Sequence, residues 1–103
     1  MDTAKTLMAL SAACGVSGAE RPAVETAKDF LAPLVDSVEI TPMGNLLGIR
    51  KSPCKGAKTL LLDAHLDEVG LIVSGRDGAL LKLTDGVGGV DSRLLPGLTV
   101  RVL

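Results

Sequence analysis

A chain of 103 residues with a formal net charge of -1 can bury only a modest core, and its near balance of acids and bases leaves no basic stripe for nucleic acid or an anionic membrane surface. Apolar residues make up 47% of it, yet Phe30 is the sole aromatic, so the core has to be built from Leu, Val and Ala without large rings. The apolar run Thr59–Leu62 and its flanks falls far short of the roughly 20 residues that span a bilayer. Asp2 precedes any basic residue, which argues against a signal peptide and for the cytoplasm, where Cys14 and Cys54 would stay reduced.

Ala4, Leu7, Leu10 and Cys14 recur at helical spacing and predict an amphipathic helix over Thr3–Cys14, with Asp2 or Thr3 as its cap and Gly15 as its stop. The turn Gly15-Val16-Ser17-Gly18-Ala19-Glu20 follows. Ser17 and Glu20 have capping-box spacing and would open a second helix carrying Val24, Ala27, Leu31 and Leu34 on one face. Pro22 lacks an amide hydrogen and belongs in the first turn of that helix, while Pro33 ends or bends it.

From Ser37 the period becomes two. Val38 and Ile40, a break at Pro42 and Gly44-Asn45, then Leu47 and Ile49 predict two strands about a turn. Ser52–Gly56 reads as a loop, and Thr59–Ala64 as a strand covered on both faces. Beyond Gly70 come short strands at Leu71–Ser74, Ala79–Thr84 and Leu98–Leu103, separated by Arg76-Asp77-Gly78 and by Gly86-Val87-Gly88-Gly89, an all-β texture. The change near residue 70 marks the expected domain junction. An apolar strand closing the chain is an open edge, which leads to the expectation of a piece of a larger protein.

The stretch from Leu60 to Gly70 carries the chemistry. It ends an apolar strand in the only histidine of the chain, His65, followed two residues later by Asp67. Open α/β sheets place their ligands at the carboxyl ends of strands, and a carboxylate at i+2 can hold an imidazole in one tautomer and one orientation for a metal. A lone histidine there can equally do no more than bond a backbone carbonyl. The crowding of Asp63, Asp67 and Glu68 around it raises the weight of the metal reading, because so many carboxylates beside one ring need a cation or hydrogen bonds to compensate them. Alternation along an extended chain puts His65 and Asp67 on one side and Glu68 on the other, so a structural hydrogen bond is the expectation for Glu68. Asp63 shares the His65 side, with plain solvation as its simplest account. A Ser17, His65, Asp67 triad lacks a nucleophile elbow, and Gly86–Gly89 has neither the lysine nor the following helix of a phosphate loop.

Taken together, Gly15-Val16-Ser17-Gly18-Ala19-Glu20, Gly44-Asn45-Leu46-Leu47, Asp63-Ala64-His65-Leu66-Asp67-Glu68-Val69-Gly70 and Gly88-Gly89-Val90-Asp91 resemble, in order and spacing, the amino-terminal part of the glutamyl aminopeptidase and tetrahedral aminopeptidase family of cocatalytic metallopeptidases. The resemblance implies an α/β fold: residues 1–69 as the first part of a mixed-sheet catalytic domain, and residues 70–103 as the start of an inserted β-barrel dimerisation domain. It implies His65 as a ligand of one of two divalent ions, zinc or cobalt, and Asp67 as the aspartate that orients it. A peptide substrate, release of its amino-terminal residue, and a homo-oligomer, dimer or dodecamer, come with the same likeness. The family's other ligands and its general-base glutamate have no counterpart in these 103 residues, so the chain is expected to be inactive at this length. Two readings stand beside it: a non-catalytic assembly or binding module, and a related metal-dependent deacylase or carboxypeptidase, whose strand ends also carry histidine-x-aspartate.

Overall fold

The computed structural model describes residues 2–84 and 88–102 and separates into two compact units, Met1–Glu68 and Val69–Leu103. It is a small α/β structure, with two helices and two antiparallel strand pairs.

In the first unit, α1 (Thr3–Ala12) begins where the Asp2 carboxylate accepts the Lys5 amide at 3.2 Å, satisfying one of the amides that a helix start leaves unpaired. Helix α2 (Arg21–Leu31) carries Pro22 in its first turn and runs into a short 3-10 turn at Ala32–Leu34, where Pro33 sits. The core lies on this helix: Ala23 and Val24 are each 4% exposed.

The capping box is not formed. Pro22 pulls the helix start to Arg21, so Glu20 is the cap residue, with no side-chain cap bond, and its carboxylate instead accepts the Gly18 amide at 2.6 Å. Ser17 lies three residues upstream of the cap.

Strands β1 (Ser37–Ile40) and β2 (Leu46–Ile49) pair in register from Ser37 opposite Ile49 to Ile40 opposite Leu46. Pro42 presets the turn between them, which closes as the Gly44 amide donates to the Thr41 carbonyl at 2.9 Å. Leu31 of α2 seats on the bare backbone of β2, where a Cβ on Gly48 would lie 2.7 Å from a Leu31 methyl.

Thr59–Ala64 does not form a strand. Leu60, Leu61 and Leu62 are 81%, 81% and 85% exposed. Continuous apolarity reports that a segment is suited to burial, but a strand exists only where a second backbone supplies its ladder, and no described residue pairs with this one.

The second unit is built on β3 (Ile72–Asp77) and β4 (Leu80–Thr84). Gly78 at φ +58, followed by Ala79, fits the two-residue turn that needs glycine first and matches strand twist. Ser74 is the extra residue of a bulge between Val73 and Gly75, and its hydroxyl donates to the Lys82 carbonyl at 3.3 Å. Residues 98–102 form no strand, and no described residue pairs with them. Leu103, and the Gly86-Val87 half of the expected bent connection, lie outside the described residues.

Candidate functional site

The site is assembled by two short segments of the first unit, residues 15–18 and 65–68. Val16, Ser17, Gly18 and Ala19 form a tight turn closed by the Ala19 amide donating to the Val16 carbonyl at 2.7 Å. Gly18 at φ +89 occupies the third position of that turn, which requires positive φ. The turn is locked to the carboxyl end of the apolar stretch through both backbone and side chain. The Glu68 amide donates to the Gly15 carbonyl at 2.8 Å, and the Gly15 amide donates to Glu68 Oε1 at 3.1 Å, making an isolated parallel bridge between Val16 and Glu68. Gly15 is buried, and a Cβ there would meet Ala23 Cβ at 2.8 Å and the Leu66 carbonyl at 3.4 Å. Only glycine permits this approach of turn to helix and stretch.

The clamp sets the geometry of the polar groups. His65 Nδ1 stands 3.1 Å from Asp67 Oδ1 and 3.1 Å from the Asp67 backbone carbonyl. Both neighbours accept, one as carbonyl and the other as carboxylate, so in the neutral ring the proton lies on Nδ1 and the lone pair on Nε2. The His65 side chain is 86% exposed, which leaves that lone pair open to a ligand.

Asp67 is half-buried and uses both its oxygens, Oδ2 accepting the Ser17 hydroxyl at 2.5 Å, at the short end for a charge-assisted bond. The Ser17 hydrogen bond, helped by the adjacent imidazole and opposed by desolvation, holds the Asp67 carboxyl below its ordinary value of 3.8. The carboxylate is therefore ionised and able to accept throughout the neutral range.

Ser17 meets Asp67, and His65 Nδ1 meets the other oxygen of the same carboxylate, so the three residues are adjacent without forming the order of a nucleophilic triad, in which serine bonds the imidazole. Glu68 makes the structural hydrogen bond expected of it, to the Gly15 amide. Asp63 is exposed. An open groove lined by Phe30, Leu31, Leu46, Leu47, Leu61 and Leu62 runs up to Asp63, His65 and Asp67. The role of Ser17 escaped the sequence because its spacing to Glu20 imitates a cap; the signal that could have found it is the turn itself, in which Gly15 and Gly18 fix Ser17 between two special backbone positions.

As an arm for a metal ion the residues present fit: a neutral imidazole with Nδ1–H bound to a carboxylate and Nε2 exposed is the donor arrangement of metal-ligating histidines. Among the described residues no group of three His, Cys, Asp or Glu side chains could hold a metal, whereas a catalytic zinc has three protein ligands and an open position.

In the second unit, Asp91 caps a short 3-10 turn, Ser92–Leu94, and grips Arg93 through both oxygens, the shortest contact being 2.7 Å from the guanidinium. These bonds hold the Asp91 carboxyl below its ordinary value.

Comparison with known proteins gives the family of the chain. The sequence model of the family described as M42 glutamyl aminopeptidase matches residues 44–103, and a protein of Acetivibrio thermocellus named "Putative aminopeptidase" is 34% identical over 76 residues, 74% of this chain. The chain belongs to the M42 glutamyl aminopeptidase family. It spans 22% of the length of that relative. No solved structure matches it.

Proposed function

We propose that this chain supplies the amino-terminal arm of a metal-dependent aminopeptidase, with His65 as a metal ligand through Nε2 and Asp67 as the carboxylate that aims it. The observation that carries the reading is the pair of acceptors around Nδ1, which commits the proton to that nitrogen and turns the other outward. Family membership supports the peptidase class, and favours an aminopeptidase over a related deacylase or carboxypeptidase.

When bound, two divalent ions, zinc or cobalt, would supply an activated water and polarise the carbonyl of the scissile bond. The contribution of these residues is to present one neutral nitrogen, to keep the proton on the opposite nitrogen, and to hold the ring still. Residues 1–69 would belong to a mixed-sheet catalytic domain and residues 70–103 to an inserted barrel through which copies assemble. The compartment we infer is the cytoplasm, and the substrate a peptide with a free amino terminus. One imidazole cannot complete a dinuclear centre, so the remaining ligands would come from segments corresponding to the rest of the longer relative.

The test is hydrolysis of aminoacyl arylamides. The 103-residue chain by itself is expected to be silent, and the full-length product of its gene active, inhibited by chelator, and reduced by orders of magnitude in His65→Ala. Activity indifferent to metal removal and intact in His65→Ala ends the proposal.

A further inference from the structure

The turn between the helices of the first unit contains a hydroxyl whose engagement no helix cap explains. Ser17 donates to Asp67 Oδ2 across 50 positions of sequence at 2.5 Å, while Asp67 Oδ1 accepts from His65. A carboxylate on a freely turning Cα–Cβ bond cannot aim an imidazole, because either oxygen could face the ring or neither. With one oxygen claimed by Ser17, only the other is available to His65, and the plane of the carboxylate is set.

The turn that holds Ser17 is itself fixed. Glu68 bonds both the carbonyl and the amide of Gly15, Gly18 takes the φ of +89 that the turn demands, and the Gly18 amide is tied to Glu20. The hydroxyl is thus delivered by a rigid loop rather than by a mobile side chain reaching across solvent.

We propose that Ser17 is a positioning residue for His65, acting through Asp67: its hydroxyl fixes the carboxylate rotamer and so keeps the proton on Nδ1 and the lone pair on Nε2. The proposal rests on the reading of His65 and Asp67 given above and extends it to a residue of a separate segment. The Ser17 hydroxyl bonds Asp67 and not His65, so its effect is transmitted by the orientation of Asp67.

His65 is the only histidine in the chain, so its two ring nitrogens give unambiguous nitrogen-15 signals, and the ratio of the two neutral tautomers can be read directly on the full 103-residue chain at mildly alkaline pH. Ser17→Thr and Ser17→Val form the decisive pair, sharing shape and β-branching and differing only in the hydroxyl, so that any disturbance of the turn is common to both. The expected result is a strong Nδ1–H preference in the wild type, retained in Ser17→Thr, and weakened about fivefold in Ser17→Val, the scale of one lost hydrogen bond. Asp67→Ala, which removes the side-chain acceptor and leaves the backbone carbonyl, separates the two ideas. If the tautomer ratio moves in Asp67→Ala but is the same in Ser17→Thr and Ser17→Val, Ser17 is a turn residue alone and the inference fails while the His65–Asp67 reading survives. A ratio unmoved in all three variants overturns both.

Discussion

Residues 59–64 and residues 65–68 are consecutive in sequence, but they differ in what they touch. The first stretch is apolar, and its three leucines stand more than four-fifths exposed with no ladder among the described residues. The second is polar, and every charged or ring-bearing side chain in it has a named partner: His65 with Asp67, Asp67 with Ser17, and Glu68 with Gly15. Hydrophobicity by itself does not anchor an extended segment, since the hydrophobic effect has no direction. Hydrogen bonds to a neighbouring turn do anchor one, since each demands a particular partner at a particular distance.

The comparison can be broken most severely at Gly15. Gly15→Ala places a methyl within 2.8 Å of Ala23 Cβ, and is expected to lower stability in urea by about 2 kcal/mol, as overpacked sites commonly do. Gly18→Ala, forced into φ +89, should cost about 1 kcal/mol and no more, since open space surrounds that position. Glu68→Ala leaves the buried Gly15 amide without its acceptor, a loss of about 1 kcal/mol by the same measurement, and Glu68→Gln, which keeps an amide oxygen as acceptor, should lose less.

Acid sharpens the contrast without any mutation. Asp67 titrates below 3.8 in the folded chain, so the stability it contributes is complete above the unfolded-state value, and is lost as the pH falls through the lower folded value. Asp91 adds a loss of the same sign, so acid titration of Asp67→Asn should show a shallower fall than the wild type, not a flat one. At the small end, Leu61→Thr should change the stability of the 103-residue chain by less than about 0.5 kcal/mol, because that side chain is already in water. Hydrogen exchange checks the whole picture: the amide of Glu68 is expected to be protected and those of Leu60–Leu62 to exchange quickly.

What was legible in the sequence follows the range of the interactions. The helices and both hairpins were readable because period, proline position and turn glycines act over a few residues, as Pro22, Pro42 and Gly78 show. His65 with Asp67 was readable for the same reason, being two residues apart. The Ser17 contact was not, because a side chain that could cap a helix and one that bonds a carboxylate 50 positions away have identical local sequence. Thr59–Ala64 failed in the opposite way: its composition announces burial, but composition does not contain the partner strand.

The two acceptors at His65 Nδ1 both belong to Asp67, one from its side chain and one from its main chain. The carbonyl is held by the main chain beside the Glu68–Gly15 bond, and the carboxylate by the Ser17 hydroxyl. Two acceptors on one nitrogen restrict the turning of the ring, so an incoming electrophile at Nε2 meets a nitrogen that is already largely ordered.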